Sequence, residues 1–375
     1  STGGQIMPPI MGAAAFLMAE FTGEPYSQIA VRAILPAVLY FTGIYIAVHL
    51  EAKKLGLQGI PRDQLPKIGN LMKKIYLLFP LVLLVILVST NTFTMAKSAA
   101  IAIVAAVAVG LLNNVVDMTV KNVDRTDFLT FGKILDALEG GARGSITVAV
   151  ACAMAGLVAG CITSTGLASK LITVIVNVSG GHAIIALALT MLCCIVLGMG
   201  VPTTANYCIM ASTCAPILIQ LGFPVVAAHF FVFYFGIVAD ITPPVALAAY
   251  AGSAIAKSNP MKTGINATKL AIAAFIVPYI FAYSPALLFE NISGWWEVAQ
   301  ITVSALLGIF AIAASLNGFL YKKIHWVLRL VLAIGGLGMM IPGTLTDVVG
   351  LALVLAVVFY QRVSARKDSG PAVTA

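Results

Sequence analysis

Apolar stretches of about 17 to 25 residues, separated by short charged segments, run the length of this chain, and none alternates residue by residue as a membrane strand would. After a half-helix at about 6–20, spans are expected near 28–50, 75–95, 98–116 and 145–166. Two further segments, 182–198 and 204–220, flank Gly198-Met199-Gly200-Val201-Pro202-Thr203-Thr204. A helix from about 224 breaks at 239–244 and resumes to about 256. Spans near 266–289, 298–319, 325–342 and 345–361 follow, with a polar tail from Val363.

Two interruptions of this pattern match each other. Gln5-Ile6-Met7-Pro8-Pro9 and Asp240-Ile241-Thr242-Pro243-Pro244 lie 235 positions apart, each followed by an Ala-rich half-helix. Paired prolines remove two backbone donors and push the preceding residue out of the helical region, so the helix must open there. Open backbone at membrane depth is tolerated only where it lines a cavity or is buried in protein. Matched broken helices in two halves point to a transport site near the middle of the bilayer.

Charge fixes the orientation. If 182–220 is a re-entrant hairpin, the loops 52–74, 117–143, 257–269 and 321–329, together with the tail, share one face and hold 19 of the 22 Lys and Arg. Only Arg32, Lys97 and Lys170 fall on the other side, so the basic face is expected to be cytoplasmic, as is the C-terminus. In this layout the first half-helix ends outward, near Glu20 and Glu24, and the second ends inward, near Lys257. The copies are therefore inverted, and a second hairpin is expected before Ser1, so the chain reads as the later part of a longer polypeptide. Segments 62–76 and 127–142 are amphipathic and are expected at the cytoplasmic interface, with a solvated loop helix as the other reading.

Composition agrees with an all-α polytopic membrane protein. Of 375 residues, 60% are hydrophobic and 10% charged, and the mean hydropathy of +1.02 exceeds what one soluble core could hide. The net charge of +8 sits at helix ends rather than along one soluble face, which argues against nucleic acid as a partner. The six cysteines (Cys152, Cys161, Cys193, Cys194, Cys208 and Cys214) lie in apolar stretches without metal-ligand spacing and read as small buried hydrophobes. No transition-metal site is expected, and Gly156-Leu157-Val158-Ala159-Gly160 reads as a helix-packing stripe.

Of the 14 acids, only Asp240 falls near the centre of a span. A carboxylate there needs a cation, a proton or fixed dipoles. Asp240 and its repeat partner Gln5 could form, with carbonyls freed by the breaks, an oxygen cage for a small hard cation; alternatively Asp240 only ties the break to the hairpin. At the hairpin tip, Gly198 and Gly200 allow a tight turn and Pro202 starts the second arm. Thr203, Thr204 and Asn206 then present polar groups at that arm's N-terminus, as ordinary helix caps also do. Ser1-Thr2-Gly3-Gly4 would supply small polar lining or only a flexible lead-in. His229 is isolated and reads as a packed, hydrogen-bonded histidine rather than a proton relay. An intramembrane protease would need paired aspartates or a serine beside a histidine, and a passive channel a ring of pore charge, so neither enzyme nor channel is expected.

Three stretches carry a family resemblance: 1–12 (Ser1-Thr2-Gly3-Gly4-Gln5-Ile6-Met7-Pro8-Pro9-Ile10-Met11-Gly12), Gly198–Thr204 and Ala239–Pro244. Over most of residues 1–290 the chain resembles the large, DctM-like membrane subunit of tripartite ATP-independent periplasmic (TRAP) transporters. It is most similar to the fused permeases that work with TAXI-type binding proteins. The resemblance implies an inverted-repeat elevator in which hairpins and broken helices carry the site past a static scaffold. It implies Na+ held at Gly198, Gly200, Thr203, Thr204, Asp240 and Thr242, with Ser1, Gly4, Gln5 and Met7 in the other half, around breaks at Pro8, Pro9, Pro202, Pro243 and Pro244. Thr203, Thr204, Asn206, Ser1 and Thr2 are the expected substrate contacts.

The regions then divide as 1–23, the second half of the first broken helix; 24–181, scaffold and linking helices; and 182–256, the transport hairpin and second broken helix. A linker and helix at 257–297, a three-helix extension at 298–362 and a polar cytoplasmic tail at 363–375 complete the chain. The implied partners are a periplasmic solute-binding protein, a small membrane subunit or fused equivalent, an organic-acid substrate and the lipid of the bacterial inner membrane. Na+ is the expected coupling ion and no cofactor is expected. The expected activity is ion-coupled uptake of organic acids, with H+ as the other candidate ion; the alternative is a carboxylate carrier of the same architecture without a binding protein.

Overall fold

A computed structural model describes residues 2–8, 11–61, 69, 72, 74–90, 93–119, 128–341 and 343–368. In chain order the helices are α1 (Gly3–Ile6), α2 (Ala13–Thr22), α3 (Tyr26–Lys54), α4 (Phe79–Ser89), α5 (Met95–Thr119), α6 (Phe131–Ser164), α7 (Leu167–Ser179), α8 (Ala183–Gly198) and α9 (Thr203–Thr213). They continue as α10 (Ala215–Gln220), α11 (Val225–Val238), α12 (Leu247–Ile255), α13 (Pro260–Leu270), α14 (Ile272–Tyr283), α15 (Trp295–Asn317), α16 (Trp326–Gly338) and α17 (Thr344–Asp368). Tyr26–Lys54, Ala96–Val116, Pro260–Tyr283, Trp295–Asn317 and Thr344–Ala365 are long and apolar enough to cross a membrane.

Several boundaries differ from the sequence expectation. The first half-helix starts only at Ala13, with Met7, Pro8, Met11 and Gly12 outside any helix. The amphipathic segment near 127–142 and the span near 145–166 are one continuous helix, α6, since no proline lies between them to stop it. Helix α7 had no counterpart in the sequence reading: Gly166 and Gly180, both left-handed, delimit it. Helix α17 runs to Asp368, through the first part of the expected tail. Most of the 62–76 segment lies outside the described residues. Cys161 is exposed in the isolated chain rather than buried, and Cys193, Cys194, Cys208 and Cys214 are free thiols.

The chain divides into two compact units. The smaller comprises Pro25–Gln28 and Gly59–Ala153. Within it the Tyr76 hydroxyl donates to Asn113 Oδ1 at 2.6 Å, and Asn114 exchanges two hydrogen bonds with the backbone of Leu129. Leu129 also fills the space over Gly110, where a Cβ would stand 2.6 Å from its Cδ2.

The larger unit comprises Ser1–Glu24, Ile29–Gln58 and Met154–Ala375. Its centre is α11, in which every residue from Val226 to Val238 is buried. A helix apolar on all sides belongs in such a place. Edge-to-face rings join it to α14: Phe230 and Tyr234 meet Phe281, and Phe231 meets Tyr279 at 5.5 Å. Beside it, α7, α8 and α10 share an apolar cluster of Ile175, Ala186 and Ile217.

Helices α15–α17 pack through small residues, which let backbones approach where lipid offers no hydrophobic drive. Added Cβ atoms at Gly308 and Gly336 would meet each other's carbonyls at 2.8 and 2.9 Å. A polar latch accompanies this contact, with Ser304 Oγ donating to Asp347 Oδ1 at 2.5 Å and Gln300 Nε2 to Asp347 Oδ2 at 3.2 Å. All three tryptophans are exposed at helix starts, Trp295 and Trp296 opening α15 and Trp326 opening α16. The 23 residues of α15 span about 34 Å at helical rise. Aromatic residues at both ends of such a length mark the two membrane interfaces.

Helix α3 joins the extension to the core. Ala47 and Leu50 sit in one cluster with Ala311, Ala314, Leu320 and Ile324, and a Cβ at Gly43 would stand 2.4 Å from that of Ala273 and 2.9 Å from Ile309. At the other end Arg32 lies 3.4 Å from Glu24 and 4.0 Å from Glu290, so two carboxylates share one guanidinium. Burial raises the Glu290 pKa above its usual 4.5, Arg32 opposes that shift and Glu24 adds to it.

Gly43→Leu is expected to lower the thermal midpoint of the purified protein, a destabilisation of about 1–3 kcal/mol from overpacking; an unchanged midpoint would mean that the crossing is not tight. Because the folded-state pKa of Glu290 is raised, its stabilising contribution is full below pH 4.5 and fades as pH rises through the raised value. The wild-type midpoint minus that of Glu290→Gln, whose amide resembles the protonated acid, should therefore fall from acid to neutral pH. A difference independent of pH would remove Glu290 titration from the account.

Candidate functional site: two helix breaks and a hairpin tip

The two breaks have the same construction. In each a short helical turn ends in an extended residue, Met7 (φ −85°, ψ 122°) or Thr242 (φ −103°, ψ 124°), followed by the prolines. Four residues later the chain enters the left-handed region, at Met11 (φ 41°) and Ala246 (φ 36°), and a half-helix begins. The amide of Met11 donates to the Met7 carbonyl at 3.4 Å and that of Ala246 to Thr242 at 3.1 Å. Non-glycine residues held at positive φ are strained, and such strain clusters at ligand sites.

The second break is well supplied with donors. Thr242 Oγ1 donates to the Val238 carbonyl at 2.7 Å, Thr268 Oγ1 to Ile241 at 3.0 Å and the Tyr250 hydroxyl to Pro244 at 2.5 Å. Part of the carbonyl cage expected from sequence is therefore already engaged by protein. Asp240 is half-buried between Ala239 and Ile241, and among the described residues its carboxylate has neither a hydrogen-bond nor a salt-bridge partner.

The hairpin tip sits on this break. Helix α8 ends at Gly198, Gly200 turns at φ 75°, and Pro202 caps α9. A Cβ on Gly198 would come within 3.0 Å of Ala239 and 2.6 Å of Asn206 Nδ2, and one on Gly200 within 3.9 Å of Val245. Asn206 is 1% exposed and donates from Nδ2 to the Gly236 carbonyl at 2.9 Å, while its Oδ1 is buried without a partner. This residue, expected at the substrate, lies enclosed between the hairpin and α11. Thr203 and Thr204, one turn earlier, are half-buried with hydroxyls free of protein partners among the described residues.

The turn that leads into the first break shares with Ile241 of the second a cavity of about 340 Å³, lined by Thr2, Gly3, Gly4, Tyr40, Phe41, Ile241 and Leu270, among others. Thr2 Oγ1 hydrogen-bonds the Tyr40 hydroxyl at 2.7 Å, and a Cβ on Gly3 would stand 2.6 Å from Phe41. The Gln5 Oε1 atom is buried without a partner, whereas Gly4 and Met7 are exposed and Pro8 is half-buried. Ser1 and Pro9 lie outside the described residues. At the other end of this half, Phe21 in α2 stacks on His229 near the start of α11, 6.3 Å away. Gly4 thus lies by Ile241 and Phe21 by His229, so the two broken segments run antiparallel.

The family model described as "Tripartite ATP-independent periplasmic transporter, DctM component" matches residues 1–296. The chain belongs to the DctM family. It is accordingly a component of a tripartite secondary transporter for organic acids, a multi-pass membrane protein and not an enzyme. No curated protein matches the chain. The match ends at the first turn of α15, so the three-helix bundle lies almost wholly beyond it.

In this DctM-family chain, sequence reasoning missed the aromatic supports of the site. Tyr40 holds Thr2, Tyr250 and Thr268 satisfy the second break, and the Tyr207 hydroxyl lies 2.8 Å from His229 Nδ1. These partners are 6 to 38 residues apart with no shared motif. Only the need of each freed polar group for a donor or acceptor could have signalled them.

Gly198→Ala would force its methyl against Asn206 and Ala239. It is expected to cost about 1–3 kcal/mol of stability and to disturb the hairpin seat, as read by a lower melting temperature and faster protease nicking near residue 200. Resistance equal to wild type would show that the tip has slack.

Proposed function

We propose that this DctM-family chain moves an organic acid and its coupling ion, Na+, across the bacterial inner membrane by an elevator motion of the hairpin and broken helices. The observation that carries this reading is the meeting of two antiparallel helix breaks, with a glycine hairpin tip seated on the second. Free backbone and small polar groups at such a meeting suit a small hard cation and a carboxylate together. Gly198, Gly200, Thr203, Thr204, Asp240 and Thr242 form one half of the proposed ion and substrate region. Ser1, Thr2, Gly4, Gln5 and Met7 form the other.

In this reading Asp240 is the mobile-ion ligand, because its carboxylate lacks a protein cation and a bound Na+ would offset its burial. Thr203 and Thr204 face the anionic cargo at the positive end of α9. The basic loops, including Lys53, Lys54, Lys322 and Lys323, are cytoplasmic, and so is the C-terminus. A periplasmic solute-binding protein, of the TAXI type, delivers the acid. A small membrane subunit or its fused equivalent completes the scaffold, to which α15–α17 contribute by bracing α3.

The test is uptake into proteoliposomes by the full-length protein with its cognate binding protein under imposed ion gradients. Asp240→Asn is expected to slow initial uptake by about ten-fold or more, equivalent to roughly 1.4 kcal/mol, or to change its Na+ dependence, while the melting temperature holds. Normal uptake with unchanged Na+ dependence would remove Asp240 from the mechanism.

A further inference from the structure

Four helix ends of the larger unit meet around another cavity, of about 250 Å³. Helix α14 ends beside it at Ser284, α16 ends beside it at Met339, and α15 and α17 begin there with Glu297 and Asp347 in their first turns. Helical spacing puts its polar side chains on one face of each helix, Glu297, Gln300 and Ser304 on α15 and Thr344 and Asp347 on α17. Hydrogen bonds fix that register. Ser304 Oγ lies 2.5 Å from Asp347 Oδ1 and 3.0 Å from the Met339 carbonyl oxygen, and Gln300 Nε2 donates to Asp347 Oδ2 at 3.2 Å. The family match stops one residue before Glu297, so the cavity joins Ser284 of the matched part to the extension.

Protein does not balance the charge in this cavity. Its wall holds both carboxylates and, among the described residues, no lysine, arginine or histidine, and neither carboxylate is in an ion pair there. Helix starts favour anions by roughly half a charge each, but the ends of α14 and α16 cancel the starts of α15 and α17, so about two negative charges remain. Asp347 also lines an adjoining apolar trough with Trp296, Leu307 and Leu351, where an uncompensated charge is costly. Ser284 is an independent sign of a ligand: it is 8% exposed, lines the cavity, and its hydroxyl has no hydrogen-bond partner among the described residues. A buried hydroxyl in that position calls for a partner. Further oxygens are spare. Glu297 accepts the Ser293 amide on Oε2 at 3.0 Å, which leaves Oε1, and Gln300 gives Nε2 to Asp347, which leaves its amide oxygen.

We infer that this cavity binds one hard divalent cation, Ca2+ or Mg2+, held by Asp347 and Glu297 directly or through water, with Ser284 and Gln300 adding neutral oxygens. Two carboxylates among neutral oxygens suit such an ion and lack the thiolate or imidazole that a transition metal prefers. At about 30 Å³ per water the cavity has room for the ion and several waters of its shell. The bound ion ties the end of α14 to the three-helix bundle, so occupancy stabilises the joint between the matched region and the extension. None of these residues belongs to the helix breaks or the hairpin, and the inference stands apart from the transport reading.

The experiment melts purified, EDTA-treated full-length protein in detergent while CaCl2 or MgCl2 is titrated at constant ionic strength. The melting temperature should rise saturably with a midpoint of about 0.1–1 mM, the range of weak oxygen sites. Asp347→Asn and Glu297→Gln should each raise that midpoint about ten-fold or more. Ser284→Ala, which removes a hydroxyl without a protein partner, should raise it about three-fold with no loss of stability in EDTA. Glu20→Gln, at an exposed acid outside the cavity wall, should match wild type. As a second readout, Tb3+ emission excited through tryptophan should be displaced by Ca2+ and should weaken in Trp296→Phe, since Trp296 lines the adjoining trough; it holds even where an acid variant folds poorly. No saturable effect of either divalent ion, wild-type midpoints in both acid variants, or Tb3+ emission indifferent to Trp296→Phe would overturn the proposal. So would equal stabilisation by NaCl at the same concentration, which would assign the acids to a monovalent ion.

Discussion

A peptide group that loses its helical partner inside hydrocarbon has no water to turn to, and every feature around the two breaks answers that constraint. Thr242 bonds back to Val238, Thr268 reaches Ile241 from another helix, and Tyr250 caps Pro244. Asn206 crosses from the hairpin to the Gly236 carbonyl of α11. Each bond lets the chain keep an open segment where a continuous helix would be more stable by itself. The breaks are thus held by side chains of neighbouring elements, and the site cannot exist before those elements pack.

The same constraint explains the glycines. Gly198 and Gly236 leave the space that Asn206 fills, and Gly43 lets α3 approach α14 and α15. In a lipid solvent apolar side chains do not drive helices together, so close backbone contact and buried polar bonds must do so. Asp347, linked to Ser304 and Gln300, and Arg329, which donates to the Ser315 carbonyl at 2.6 Å, supply those bonds in the three-helix bundle. Of the buried polar atoms left unpaired among the described residues, Gln5 Oε1 and Asn206 Oδ1 lie at the first break and the hairpin tip, while others, such as Ser98 Oγ, Thr190 Oγ1 and Gln361 Oε1, lie elsewhere.

Much of this was legible in the chain. The Pro-Pro pairs at 8–9 and 243–244 announced both breaks, because proline's missing donor acts locally whatever the surroundings. The Gly-Pro turn at 198–202 announced the hairpin for the same reason. Less legible was α7, whose apolar face looks like linker until α8 and α10 pack on it at Ile175. The continuity of α6 was hidden too, since an amphipathic stretch followed by an apolar one gives no sign that a single helix carries both.

Asn206 shows what residue type alone leaves out. At the tip of a hairpin an asparagine reads as a ligand; its burial against two glycines 8 and 30 positions away, with a bond to the Gly236 carbonyl, also makes it a tie between the hairpin and α11. The sequence alone determined membrane class and the places where helices open, because hydropathy and proline act residue by residue. The tertiary structure alone decided which freed groups are satisfied and which face a cavity, because hydrogen bonds between residues far apart in the chain depend on packing that no local pattern encodes.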